Sequence, residues 1–218
     1  MRISYNWLQS FFDQKLPPPA EVAERLTMHS FEVESVREVR KDSIFEIDIL
    51  PNRAHDCLAH YGVAREVAAL LELALSRAPL AAALPEWPVS SRLFVSVEDA
   101  HLCSRYSAVV IENIAVGPSP EWLVERLLSI GERSINNVVD AMNYVMFDIG
   151  QPLHAFDLEQ LAVTEGAVAI GVRGSTENEK ITTLEPLERT LPSGTLLITD
   201  ATRNTPLCIA GIKGGNGA

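Results

Sequence analysis

Residues 134–157 read Ser134-Ile-Asn-Asn-Val-Val-Asp-Ala-Met-Asn-Tyr-Val-Met-Phe-Asp-Ile-Gly-Gln-Pro-Leu-His-Ala-Phe-Asp157. Val138, Val139, Met142, Val145 and Met146 recur at helical spacing and predict one helix with a single apolar stripe. Asn136 and Asn137 stand where an N-cap is wanted, and Gly150 stands where the helix should stop. Gln151-Pro152 cannot continue a helix and turns the chain, so His154 and Asp157 fall in a returning segment. Asn143 sits at the edge of the stripe, where its amide can point into a cleft instead of water. A helix followed by a tight turn bearing histidine sets two polar readers on one rigid wall. The pattern alone leaves the plainer alternative open, a solvated asparagine and a histidine that caps or packs.

The whole chain of 218 residues is long enough for one large domain or two ordinary ones, each with its own core. Hydrophobic residues make up 47%, the balance of a folded soluble protein, and no apolar run approaches the roughly 20 residues that span a bilayer. The opening Met-Arg-Ile-Ser-Tyr-Asn-Trp has neither the apolar core nor the cleavage site of a signal peptide. Cys57, Cys103 and Cys208 are odd in number and far apart, which argues against a disulfide framework. A cytoplasmic protein with no membrane association is expected. The formal net charge is −11. Both halves share the deficit: nine Lys and Arg against twelve Asp and Glu in residues 1–85, nine against seventeen in 86–218. Gripping nucleic acid through phosphates needs clustered cations, and Arg40-Lys41 is the only adjacent basic pair. This chain alone is expected to bind RNA poorly.

From the N-terminus, Met1–Phe12 starts strand-like and then puts Trp7, Leu8, Phe11 and Phe12 at helical spacing. Leu16-Pro-Pro-Pro19 is a rigid connector, and residues 19–26 form a second helix with Val22, Ala23 and Leu26 inward. Phe31, Val33 and Val36 suggest a strand, and Ile44–Leu50 alternates as another until Pro51-Asn-Arg breaks it. Residues 60–75 are a helix. Ser76–Ser91, rich in alanine with Pro79, Pro85 and Pro88, is the best domain boundary. Beyond it, residues 94–98 and Arg105–Ile111 read as strands. Gly117-Pro-Ser-Pro-Glu-Trp-Leu starts a helix, with Ser119 as N-cap, Pro120 at N1, and Leu123, Leu127, Leu128 and Ile130 inward. Residues 168–172, 180–184, 196–199 and 206–211 supply further strands. The fold class expected is α+β, mixed α/β: a small N-terminal α/β domain over 1–85, then a larger mixed-sheet domain over 86–218.

His55, Cys57 and His60, with Asp56, are all zinc-ligand types, but their spacing matches no finger and no fourth ligand is near. We read a turn and helix start with Asp56 as cap, and no metal. Ala210-Gly-Ile-Lys-Gly-Gly215 is weak as a phosphate loop, because it lacks the full glycine pattern and no helix follows it.

Residues 134–157 closely resemble the I-N-N-V-V-D-x-T-N-Y-V-M…Q-P-x-H-A-F-D run of the bacterial phenylalanyl-tRNA synthetase beta chain. The opening residues resemble that family's start. Asp48-Ile-Leu-Pro-Asn-Arg…Cys57-Leu…Gly62-Val-Ala-Arg-Glu66 resembles, with substitutions, its E-x-T-P-N-R…D-C-L…G-x-A-R-E run, and 210–215 its A-G-x-x-G-G turn. The resemblance runs along the whole chain but departs from the family's pattern in three places. An oligonucleotide-binding module that most members insert is replaced by a direct join from Val36 to Ile44. Met142 stands where the family has threonine. The family's glutamate that reads the tyrosine hydroxyl lies beyond residue 218, so the editing-type domain is expected to be incomplete at its C-terminus.

The resemblance implies part of a cytoplasmic, hetero-oligomeric phenylalanine–tRNA ligase, whose partners are the alpha chain and tRNA(Phe). It implies that 86–218 hydrolyse tyrosine wrongly attached to that tRNA. The implied substrate-binding pocket is Met142, Asn143, His154 and Gly211, with no catalytic side chain assigned. No cofactor is implied in this chain; ATP and Mg would belong to the synthetic site on the alpha chain. A non-catalytic scaffold, or a fragment that binds an aromatic amino acid such as tyrosine, is the alternative.

Overall fold

The computed structural model describes residues 1–79, 86, 88–183 and 187–216. Residues 80–85 and 87 of the alanine- and proline-rich boundary lie outside the described residues, as do Leu184 and Ala218. The chain forms two compact units. The first comprises Met1–Leu84 and Ala115–His154, the second Pro85–Ile114 and Ala155–Ala218.

In the first unit, β1 (Arg2–Ser4), β3 (Asp42–Ile47) and β2 (Val33–Val39) make an antiparallel sheet in that order. Ser4 ends β1 and caps α1 (Tyr5–Gln9), its hydroxyl accepting the Trp7 N–H at 2.9 Å. The proline run fixes the start of α2 (Pro19–His29) and leaves Val22, Ala23 and Leu26 buried, as their spacing predicts. The direct join between Val36 and Ile44 is a β-hairpin, closed by Arg40-Lys41 with Arg40 left-handed at φ 57°. α3 (Ala54–Cys57) and α4 (His60–Leu71) follow; later in the chain come α5 (Glu121–Ser129) and α6 (Asn137–Ile149). Trp7, Leu8, Phe11, Leu26, Phe45, Ile47, Val63 and Val67 form one core, against which Tyr144 and Phe147 of α6 pack. Gly62 lies where α4 crosses α3: a Cβ there would sit 2.0 Å from the Asp56 carbonyl oxygen, so only glycine fits.

The second unit holds a mixed sheet. Its order is β11 (Lys213–Gly214), β10 (Thr205–Ile209), β9 (Leu196–Asp200), β6 (Ala167–Gly174) and β4 (Leu93–Val97), with β5 (Val163–Thr164) also paired to β6. β4 runs parallel to β6, and the other pairs are antiparallel. β7 (Lys180–Thr182) and β8 (Glu188–Thr190) form a separate ribbon. Val168, Ile170, Ile198 and Leu207 are central to the sheet's core. Helices and mixed strands together make the fold α+β, as the sequence pattern predicts.

Three local expectations are corrected. Arg105–Ile111 is not a strand: it finds no ladder among the described residues, so its β-favouring side chains act singly, Tyr106 against the core and Ile111 62% exposed. Asp56 does not cap α4, whose N-cap is Ala59 without a side-chain bond, because Arg53 holds the Asp56 carboxylate. Ser119 does not cap α5, which begins one residue later than expected with Pro120 at its N-cap; its hydroxyl goes to Asp140 instead.

Candidate functional site

α6 starts and stops where its sequence says. Asn136 caps it, accepting the N–H groups of Val138 and Val139 at 3.1 and 2.9 Å, and Gly150 ends it in the left-handed conformation. Asn137 ties the preceding loop down, accepting the Gly117 N–H and donating to the Ala115 carbonyl. The buried face, however, is not the aliphatic stripe. Val138, Val139, Met142, Val145 and Met146 are all half-buried, whereas the residues out of water are Asp140 and Asp148. The face that meets the core of this unit is Asp140, Tyr144, Phe147 and Asp148. Carboxylates displace aliphatics there because each meets a full set of donors.

Asp140 accepts the Ile135 N–H at 2.8 Å and the hydroxyls of Ser119 and Ser134. Burial works to raise its pKa, but those hydrogen bonds to the charged form outweigh it and hold it below 3.8. Asp148 accepts the Trp7 indole N–H at 2.8 Å and a forked pair of bonds from Arg77. Trp7 is itself stacked on two rings, His60 at 4.0 Å and Tyr144 at 4.9 Å. His60 is fully buried. Its Nε2 accepts the Ser4 N–H at 3.1 Å, so the proton is on Nδ1, which donates to the Phe147 carbonyl. Burial drives its pKa down to about 3. His60 is a structural core histidine.

Of the expected pocket residues, Met142 and Asn143 stand side by side on α6, half-buried, and the Asn143 side-chain amide has no hydrogen-bond partner among the described residues. His154 lies on the segment after the turn, largely exposed, and desolvation of its ring lowers its pKa below 6.5. It is therefore a neutral imidazole at pH 7, with one donor and one acceptor nitrogen. Gly211 belongs to the second unit. It turns β10 into β11 at φ 69°, and no atom lies within 4 Å of the position of a Cβ there. The first three share one unit and Gly211 lies on the other.

The P-N-R and G-x-A-R-E runs are each other's partners. Arg53 reaches Asp56 at 2.8 Å, Glu66 at 2.7 Å and the Cys57 sulfur at 3.1 Å, and lies over the Phe31 ring. Asp56, Cys57 and Glu66 are the one described group of three whose ligand-type atoms converge, within 4.8 Å. The Arg53 guanidinium fills that convergence, and burial pushes the Cys57 thiol up to about 12, away from the thiolate a metal needs. The cluster is a fold clamp. Sequence reading missed Asp140, Asp148 and the Trp7 stack. The available signal was an acidic pair eight residues apart on an otherwise apolar helix, which places both on one face.

A family model described as the B3/4 domain matches residues 102–218. The chain is 46% identical over 203 residues to the phenylalanine–tRNA ligase beta subunit of Carboxydothermus hydrogenoformans, covering 92% of this chain and 23% of that protein. It is 49% identical over 175 residues to the same subunit of Geobacter sulfurreducens, covering 80% and 21%. The chain thus spans less than a quarter of the length of these relatives. A solved N-terminal fragment of the phenylalanyl-tRNA synthetase beta-subunit from Pyrococcus horikoshii is 17% identical, with TM-score 0.48 over 99% of this chain and 62% of that one.

Proposed function

The chain belongs to the B3/4 domain family, and from that membership we propose that it serves as part of a phenylalanine–tRNA ligase beta subunit that hydrolyses tyrosine misattached to tRNA(Phe). The similarity to beta subunits along most of the chain supports the first half of this reading. For the second, the supporting observation is Asn143, a half-buried residue on a rigidly capped helix whose side-chain amide is open to water and has no hydrogen-bond partner among the described residues. Phenylalanine and tyrosine differ by one hydroxyl. A site whose polar groups are satisfied only by that hydroxyl rejects the ligand lacking it, because the groups would otherwise stay unpaired. Asn143 offers both donor and acceptor atoms. The aminoacyl ester is already activated, so water held at its carbonyl needs orientation more than a strong base. The partners under this reading are tRNA(Phe), the ligase alpha chain and the tyrosyl group. ATP and Mg would serve the alpha chain, and the compartment would be the cytoplasm.

The test is deacylation of preformed Tyr-tRNA(Phe) by this chain, with Phe-tRNA(Phe) as control. Selective turnover, lost in Asn143→Ala, would mean that the pocket works within these residues. No turnover by folded protein would leave a scaffold, an aromatic-binding fragment or an incomplete site, and the intact synthetase then separates these. In an intact synthetase, His154→Ala should raise accumulation of Tyr-tRNA and leave phenylalanine charging unchanged; equal loss of both would make His154 structural.

A further inference from the structure

The first unit contains a cleft of about 540 Å³, within the range of small-ligand sites. Its lining includes Trp7, Trp122 and Arg126, and the hairpin tip Arg40-Lys41. Two observations set it apart. Trp122 is 54% exposed although its ring is anchored, meeting Tyr144 edge to face at 5.4 Å, an arrangement that uses at most one face of the indole. Arg40, Lys41 and Arg126 make no ion pair with any described carboxylate, in a chain whose net charge is −11. Arg126 is held over the rings of Trp7 and Tyr144 at 5.3 and 6.0 Å. Asp42, the nearest acid at the tip, is already committed to the Ser4 hydroxyl and the Asn6 N–H. Two acids in the lining, Asp42 and Glu125, stand against the three cations and leave the cleft with a net positive charge.

A free aromatic face beside cations that make no ion pair suits a ligand with a flat ring and an anionic group joined to it. We propose that this cleft binds a nucleotide of single-stranded nucleic acid, its base stacked on Trp122 and its phosphate on Arg40 and Lys41. Stacking tolerates any base, since every base has a π face. Cation–phosphate contact supplies attraction without sequence preference. The acidic remainder of the surface keeps this attraction local, so the affinity is expected to be weak and strongly salt-dependent. The site is separate from the ester chemistry proposed above, and either reading can fail without the other.

The experiment is fluorescence anisotropy of an end-labelled eight-nucleotide RNA titrated with the full chain over a range of salt. Inorganic phosphate and an acidic aromatic peptide serve as competitors. Trp122→Ala should weaken binding by about fivefold to a hundredfold, with Trp122→Phe restoring most of it. Arg40→Ala with Lys41→Ala should lower the log–log salt slope by about 1.4. Trp122 and the hairpin tip are exposed, so circular dichroism should show each variant folded. Absence of RNA binding, or binding unchanged in both variants, would overturn the proposal. So would an acidic peptide that binds the cleft where RNA does not.

Discussion

On one face of α6, Asp140 and Asp148 are 0% and 3% exposed, and every carboxylate oxygen is hydrogen-bonded. On the neighbouring face, Met142 and Asn143 are half-buried and the Asn143 amide has no described partner. Both faces carry polar atoms, yet only one is saturated. A buried charge is tolerated when its donors are supplied by the fold, so the saturated face is explained by stability alone. The Asn143 amide is open to water, and nothing inside the unit holds it. Saturation therefore separates polar residues that hold α6 in place from those available to a ligand.

The contrast breaks most visibly at Asp148. Asp148→Ala should destabilise the first unit by about 3 kcal/mol in urea unfolding, because it strands the Trp7 indole N–H in the core and unpairs Arg77. A loss under about 1 kcal/mol would mean that the carboxylate is dispensable and the saturated face is not what anchors the helix.

Asp140→Ala orphans two hydroxyls and the Ile135 N–H, at a cost of about 2 kcal/mol. It also carries a pH signature. Because the folded pKa lies below the 3.8 expected of the unfolded chain, the stabilisation is present above 3.8 and is lost as pH falls through the lower folded value. Asp140→Asn should flatten that part of the acid-unfolding curve, and an unchanged curve would remove Asp140 as its source. His60 adds a second acid-sensitive window. Its folded pKa of about 3 lies below the unfolded 6.5, so the unfolded state binds the proton first and stability declines as pH drops from about 6.5 toward 3. A His60→Gln variant, whose amide can still accept from Ser4, should show less decline across that window.

These anchors explain how far the sequence could be read. Elements were legible wherever local chemistry dictates them: Asn136 and Gly150 bound α6, the triproline starts α2, and alternation marks β3. The burial of α6 was not legible in the same way. Its aliphatic stripe is the stronger periodic signal, but Trp7, Arg77 and Ser119, far away in sequence, decide which face goes in. Arg105–Ile111 fails for the converse reason: strand propensity is satisfied only by a partner, and no described strand supplies one. For the candidate pocket, the family-like run located Met142, Asn143 and His154 on one unit, while periodicity alone could not distinguish a pocket amide from a solvated one.

Asn136→Ala is the next smaller step. It removes one oxygen that accepts two helix N–H groups, and should lower stability by about 1 kcal/mol. It acts on the helix end, so it should leave the Trp7–Asp148 bond intact, visible as an unchanged tryptophan emission spectrum before unfolding.

The smallest stability change is expected at Asn143, and it is the most informative. An amide that holds nothing in the fold can be removed at a cost within about 0.5 kcal/mol. Asn143→Ala should therefore unfold at the same urea concentration as the parent while losing deacylation of Tyr-tRNA(Phe). If instead it unfolds early, Asn143 belongs with Asp140 and Asp148, the two faces of α6 are not different in kind, and lost hydrolysis would follow from a loosened helix. If it keeps both stability and turnover, the unmatched amide is solvated and takes no part in recognising tyrosine.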